Sequence, residues 1–245
     1  AVQIRADGGA GGVALDDAGA ATAFSTGGSG NITILAGTGG VSANATDGNG
    51  ELSTTGTIEI TSAGAVGTST NRISFPAGQD EVSVSTSAGG GDDVYLHGIG
   101  ALTLGVGGAA IDTGAGTDGT NVSVTTAAGN LTLSGLVSSG SNAVTLNRSG
   151  NIVLNYDPAP GDVITTGTGE ASLSRPVVLN ANAQISSTSG TVSFSGDVSD
   201  NGTNALTVDA GTGDVSLGID SLSIGGALSL TGANIPVDAP GGTLT

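Results

Sequence analysis

Cysteine, methionine, tryptophan and lysine are absent from this chain, and aromatic residues make up only 2% of its 245 positions. Without Cys there is no disulfide framework and no thiolate site. With so few aromatics, the core cannot be built on large rings as in a conventional sandwich or α/β enzyme. It must be made of Val, Ile, Leu and Ala in thin layers. No apolar stretch approaches the ~20 residues that a spanning helix needs, so no membrane insertion is expected. The only cations are Arg5, Arg72, Arg148 and Arg175, set against 21 acids for a formal net charge of −17. A duplex binder needs clustered cations to displace counterions, so nucleic acid is excluded as a partner. An anionic membrane surface is disfavoured for the same reason. The plain reading of the acidity is solubility; the sharper one is a polyanion that gathers divalent cations.

What is present is glycine, 46 residues of it, with abundant β-branched residues and only 6 Pro. That glycine follows no Gly-X-Y period, which excludes collagen. Short alternating runs recur instead. Val122-Ser-Val124, Leu131-Thr-Leu133, Val144-Thr-Leu146 and Ile152-Val-Leu154 each place two apolar side chains on one face. Val122 to Val144 is 22 residues and Leu131 to Ile152 is 21. A fixed interval with several short strands inside it marks a stacked coil rather than a closed globule.

The rhythm extends along the chain. Asn31–Leu35 and Thr57–Thr61 read as firm strands, followed by Ile73–Phe75, which Pro76 ends, and Val82–Val84. Val94–Leu96, Leu102–Leu104 and a weaker Ala110-Ile111 come next, and Val82, Leu102 and Val122 keep a 20-residue step. In the last third, Ile185, Leu206 and Leu228 form one series, Val192, Val215 and Ile235 a second, and Val198, Leu222 and Leu244 a third. Three series imply three strands per coil and a three-sided cross-section. The expectation is an all-β, parallel β-helix (β-solenoid) of 20–24 residues per coil, continuous over 1–245. Residues 1–30 carry the weakest pattern, and 156–170, around Asp157-Pro-Ala-Pro-Gly-Asp162, read as a surface loop with strands resuming at Leu173. At 21–22 residues per coil there would be about 11 coils, a rod roughly 50 Å long. The chain starts at Ala1-Val2-Gln3-Ile4 and stops at Gly242-Thr-Leu-Thr245, both in strand pattern, as a mature product or a segment of something longer would.

The phrases Gly30-Asn-Ile-Thr-Ile-Leu-Ala-Gly37, Gly129-Asn-Leu-Thr-Leu-Ser-Gly135 and Gly150-Asn-Ile-Val-Leu-Asn155, with the variant Gly213-Asp-Val-Ser-Leu-Gly218, carry a family likeness. They resemble repeats of filamentous-haemagglutinin-type and autotransporter-like surface proteins of bacteria. The resemblance implies a right-handed parallel β-helix and a role in adhesion or a cell-surface fibre, hence an extracellular or cell-surface location. It carries over no functional residue. The family's amino-terminal secretion cap and membrane-barrel pattern are not seen, so no export route is implied.

Candidate sites are few. Gly89-Gly-Gly-Asp-Asp-Val-Tyr-Leu-His-Gly98 resembles one calcium-binding nonapeptide of a toxin-type β-roll, with Asp92 and Asp93 as donors, but such sites are shared between neighbouring copies and this is one copy. Asp47-Gly-Asn-Gly-Glu51 has closely spaced oxygens without the rest of an EF-hand loop. His97 is the only histidine, so no two-His metal site forms within one chain, and an outer-face position is expected. A polysaccharide lyase or hydrolase would need paired carboxylates, for which Asp157 and Asp162 flank a plausible loop. The absence of Lys, the scattered Arg and the near absence of sugar-stacking aromatics argue against an enzyme. Six Asn-X-Ser/Thr triplets, at Asn31, Asn44, Asn121, Asn130, Asn147 and Asn201, are formal glycan acceptors. An ice-binding array would need Thr-X-Thr in register, whereas Thr33, Thr132, Thr145, Thr207 and Ser193 read as single positions.

No catalytic, cofactor-binding or metal-ligating residue is therefore assigned, with calcium the one conceivable ion. The expected function is a structural segment of a secreted bacterial surface fibre or adhesin. Its expected partners are copies of itself, neighbouring repeats, and a carbohydrate or host surface. A carbohydrate-binding or polysaccharide-degrading β-helix is the alternative.

Overall fold

A computed structural model describes residues 1–16, 22–44, 49–86, 92–114, 121–141, 143–157, 161–238 and 243–244. The chain winds as a β-solenoid of roughly 24 residues per coil, and every strand pairing among the described residues is parallel. Coils at both ends carry three short strands. The first has β1 (Val2–Ala6), β2 (Gly12–Leu15) and β3 (Phe24–Ser25), and the second has β4 (Ile32–Ala36), β5 (Gly40–Ala43) and β6 (Leu52–Ser53). The third has β7 (Ile58–Ser62), a single bridging residue Val66, and β8 (Ile73–Phe75). In the middle, neighbouring strands fuse into longer ones: β9 (Gln79–Ser85) with β10 (Val94–Gly98), β11 (Leu102–Asp112) with β12 (Val122–Thr126), and β13 (Leu131–Ser138) with β14 (Val144–Arg148). Three short strands then return: β15 (Ile152–Leu154), β16 (Ile164–Thr166), β17 (Ala171–Leu173), then β18 (Val177–Leu179), β19 (Ala183–Ser187), β20 (Val192–Phe194). The last are β21 (Val198–Asp200), β22 (Leu206–Asp209), β23 (Val215–Leu217), β24 (Ser221–Ser223), β25 (Leu228–Thr231) and β26 (Thr243–Leu244).

Alternation decides which side chains go in. Along β13 and β10 every second residue is buried, and in a parallel stack each buried residue lands on its counterpart one coil on. The third face shows this best. Val13, Val41, Val66, Val94, Val122, Val144, Ala171, Val192 and Val215 follow one another in register. Each fully buried aliphatic side chain in such a row contributes about 1.5–3 kcal/mol.

The first face stacks eleven strands, from β1 to β26. Val122 opposite Val144, Leu131 opposite Ile152, and Val198–Leu222–Leu244 fall as the spacing predicts. Three readings need correction. Val82 lies opposite Leu104, not Leu102, and Val122 belongs to the third face, between Val94 and Val144. Ile185 lies opposite Val208, two residues past the expected Leu206, although Leu206 does face Leu228. The expected loop 156–170 is shorter, because β16 pairs with β13 and β19 and fully buries Ile164 beside Val163. Strands resume there and not at Leu173; the Asp and Pro punctuation before it masked a three-residue strand.

The average of roughly 24 residues per coil meets the expectation, but individual coils are longer. Val2 faces Ile32 and Leu102 faces Leu131, so two intervals are 30 and 29 residues. In the first three coils the third face is interrupted midway, between Leu15 and Phe24, Ala43 and Leu52, and Val66 and Ile73. The interruption then vanishes. Val94 and Leu96, two apart in β10, face Val66 and Ile73, seven apart in the coil before. In the other long interval, β11 breaks register with β9 between Leu104 and Ile111. Its second half is the beginning of the second face, which separates as β16 where β13 splits between β15 and β16.

Two devices hold the corners. At the corner that ends the second face, buried hydroxyls replace aliphatics: Ser62, Thr86, Thr113, Ser139, Thr166 and Ser187, none more than 5% exposed. Thr166 Oγ1 donates to Gly169 O at 2.7 Å, and Ser187 Oγ accepts the Gly190 N–H at 2.8 Å, so they satisfy the backbone of the turn that follows. The second device sits just before a strand. There an Asn or Asp oxygen accepts the backbone N–H of the same position one coil on: Asn31 to Thr57, Asp93 to Asn121, Asn130 to Asn151, Asn182 to Ala205, Asp197 to Ser221 and Asp214 to Asn234. This accounts for most of the Gly-Asn and Gly-Asp openings of the repeated phrases. Asn31, Asn130 and Asp214 each tie two coils, and Gly129, Gly150 and Gly213 let corner backbones touch. A Cβ on Gly150 would stand 2.3 Å from Gly129 O, and one on Gly213 would stand 2.4 Å from Gly190 O.

Candidate functional site

The chemically richest patch lies on the outside of the third face, at β10. Alternation sends Val94 and Leu96 into the core and turns Tyr95 and His97 outward, each half-buried. Arg72 leaves the interrupted segment just before β8 and crosses two coils. Its guanidinium donates to Ser123 O at 2.9 Å and to Ser123 Oγ at 3.1 Å, and stands 5.4 Å from the centre of the Tyr95 ring. His97 Nδ1 and Thr125 Oγ1 are 2.9 Å apart. Tyr95 donates its hydroxyl to Asp93 Oδ2 at 3.3 Å, and Asp93 Oδ1 accepts the Asn121 N–H at 2.6 Å.

Burial dominates the electrostatics of the patch. It lowers the pKa of the His97 imidazole, and the neighbouring Arg72 lowers it further. Burial, then Asp93, raises the Tyr95 phenol, and burial lowers the Arg72 guanidinium. His97 meets a hydroxyl rather than a carboxylate. What the patch offers is a set of hydrogen-bonding groups.

From β10 onward the outer residues form two rows without a register shift. One runs Tyr95, Ser123, Thr145, Ser172, Ser193, Ser216, and the other begins His97, Thr125, Asn147. Thr145 and Ser193 therefore share a row, each as one hydroxyl per coil. Thr132 sits beside Thr103, Thr33 between Gln3 and Glu59, and Thr207 between Gln184 and Ser229. The rows carry no acid in a chain of net charge −17.

The remaining candidates scatter. Among the described residues no group of three or more His, Cys, Asp or Glu is placed to hold a metal ion. Asp92 contributes its backbone to Thr86, with the Thr86 hydroxyl donating to Asp92 O at 3.0 Å, and Gly89–Gly91 lie outside the described residues. So do Asp47 and Gly48. Glu51 is fully buried, and its carboxylate accepts the Ser74 N–H, so it braces the inside of the coil rather than an outer loop. Asp157 accepts from Asn182 Nδ2 at 3.1 Å, and burial raises the pKa of Asp162. Arg5 pairs with Asp7 in the open, and Arg175 edges an open groove of about 410 Å³ with Asp197, Asp220 and Asp238.

Of the six glycan triplets, Asn31 and Asn130 are corner acceptors, Asn44 donates to Asp16, and Asn201 donates to Asn180. Asn147 is exposed in the second outer row. The element that sequence reasoning missed is Arg72. It lies 51 residues from Ser123, and no local pattern links them. No protein-family model, curated protein or solved structure matches this chain.

Proposed function

We propose that this chain is a structural β-solenoid segment of a secreted bacterial surface fibre or adhesin, at work outside the cell. One observation carries the reading. The large exposed apolar side chains among the described residues, Val2, Leu228, Ile235 and Val237, all lie in the first and last coils. Leu206 is 2% exposed, and its partner in the last coil, Leu228, is 43% exposed; Leu217 is 3% and its partner Val237 is 44%. The same inward rows are covered at the inner coils and stand open at the last described one. Uncovered rungs of a parallel stack are strand edges that recruit another strand. The partner is a neighbouring repeat or a second copy placed head to tail, and such a heterologous contact lengthens into a filament. Negative-stain microscopy at rising concentration tests self-stacking: rods longer than the roughly 50 Å of one chain support it, and particles of one short length reject it.

A second reading, a carbohydrate-binding or polysaccharide-degrading β-helix, draws on the third face. Its support is the Arg72–Tyr95–His97 patch leading into uncharged hydroxyl rows, an arrangement suited to hydrogen-bonding a neutral polymer. Incubation with acidic and neutral polysaccharides, followed for binding and for new reducing or unsaturated ends, separates binding from cleavage. Neither signal would leave the structural reading alone.

A further inference from the structure

The chain contains two Asn-Gly dipeptides, Asn49-Gly50 and Asn201-Gly202. In such a pair no Cβ hinders the glycine nitrogen from attacking the Asn side-chain carbonyl. The fold puts the two in opposite surroundings. Gly50 is buried, and even a Cβ there would stand 2.5 Å from Pro76 N and Cδ. The next residue is pinned as well, with the Glu51 N–H donated to Ser74 O at 2.9 Å.

Asn201 and Gly202 are exposed, in the corner between β21 and β22. Nothing lies within 4 Å of a Cβ built on Gly202, which has φ +147°. Asp200 Oδ1 accepts the Gly202 N–H at 3.2 Å. Its Oδ2 accepts the N–H of Asn204 at 2.9 Å and of Gly225 at 3.2 Å, which holds the carboxylate in place. Asn201 Nδ2 donates to Asn180 Oδ1 in the coil before, at 2.6 Å.

We propose that Asn201 is a self-modification site that converts to aspartate and isoaspartate through a cyclic imide. The Gly202 nitrogen bonds to Asn201 Cγ as the Cγ–Nδ2 bond breaks. Nδ2 leaves as ammonia, taking up the proton lost from Gly202 N, and Asp200 is the base that relays it. Water then opens the imide at either carbonyl, to aspartate or to isoaspartate with its lengthened backbone. The net change is water in and ammonia out, with no redox partner. Conversion adds one negative charge beside Asp200 and removes the amide donor that ties Asn201 to Asn180. The column is therefore loosened first at this corner.

The test is timed peptide mapping of the whole folded chain, kept warm at mildly alkaline pH, beside the same chain unfolded in urea. In the folded chain the Asn201 peptide should exchange –NH₂ for –OH several-fold faster than the Asn49 peptide, and give an isoaspartate-containing mixture. In urea the two should convert at similar rates. Asn201→Gln should abolish the change. Asp200→Asn should slow it several-fold, with an unchanged circular dichroism spectrum showing that the column persists. Conversion of Asn49 as fast as Asn201 in the folded chain overturns the proposal. So does an Asn201 that survives folded but reacts unfolded. An unaltered rate in Asp200→Asn removes Asp200 as the base.

Discussion

Asn130 and Asn151 occupy the same corner of the column one coil apart, and Asn130 Oδ1 accepts the backbone N–H of Asn151 at 3.0 Å. Each of them precedes a strand of the first face, and the strands pair from Leu131 opposite Ile152. The side-chain bond thus continues the ladder one residue beyond the strands. Asn130→Ala should lower stability by about 1 kcal/mol, the usual worth of one such bond. Asn130→Asp keeps the acceptor and should stay near the parent. Urea unfolding of the three chains checks this, and an alanine variant as stable as the parent would show that the bond contributes nothing.

Gly150 and Gly129 touch backbone to backbone. A Cβ on Gly150 would sit 2.3 Å from Gly129 O and 2.9 Å from Asn130 Oδ1, so the coils would have to part. Gly150→Ala should therefore cost about 1–3 kcal/mol, the range for forced overpacking. Gly8 has nothing within 4 Å of the added carbon, and Gly8→Ala should be nearly neutral. Melting temperatures of the pair decide it, and equal shifts would refute the close-contact account.

Glu81 has φ +60°, the one positive value at a non-glycine residue among those described. It lies where Gln79 to Val82 in β9 faces Leu102 to Leu104 in β11, so one strand carries an extra residue. The same kink leaves Gln79 only 2% exposed, with its Oε1 accepting the Thr54 N–H at 3.2 Å. A side chain in the left-handed region costs of order 1–3 kcal/mol, and glycine removes most of that while adding freedom to the unfolded chain. Glu81→Gly should raise the melting temperature, whereas Glu81→Val should lower it. A glycine variant that melts below the parent would count against stored strain.

Asp162 sets a pH dependence. Burial is the main cause of its raised pKa and the Asp209 charge adds to it, while the Ser186 and Gln184 side chains pull it down. Its Oδ1 has no hydrogen-bond partner among the described residues. The sign follows from linkage. The folded chain binds this proton more tightly than the unfolded chain, so this residue's contribution falls as pH rises from the ordinary carboxylate value through the raised one. Asp162→Asn should be more stable than the parent at neutral pH, and the gap should close on acidification. Thermal melts across that pH range test it, and a gap that widened at low pH would reverse the assignment.

Much of the fold was legible because two periods coincide. Alternation marks Val122 and Val124, and the interval to Val144 marks the next coil, so the third-face pairing can be read without coordinates. The same logic misplaced Val82, Leu102 and Val122. Inward residues on every face share one Val-X-Val pattern, and a step from face to face can match a coil in length. Only hydrogen bonding tells a neighbour in the stack from a neighbour around the coil. The site was less legible. His97 and Tyr95 stand out by rarity, but Arg72 reaches them through coil stacking alone.

Composition and spacing by themselves determined the class: a chain with few rings and no sulfur, rich in evenly spaced aliphatic pairs, can bury them only in a thin stacked column. The tertiary structure decided what period two cannot encode, namely which face each strand joins, where Glu51 and Gln79 are drawn inside, and which of two Asn-Gly corners stands open. Those outcomes rest on contacts between residues a full coil or more apart, and such contacts exist only once the coils lie on one another.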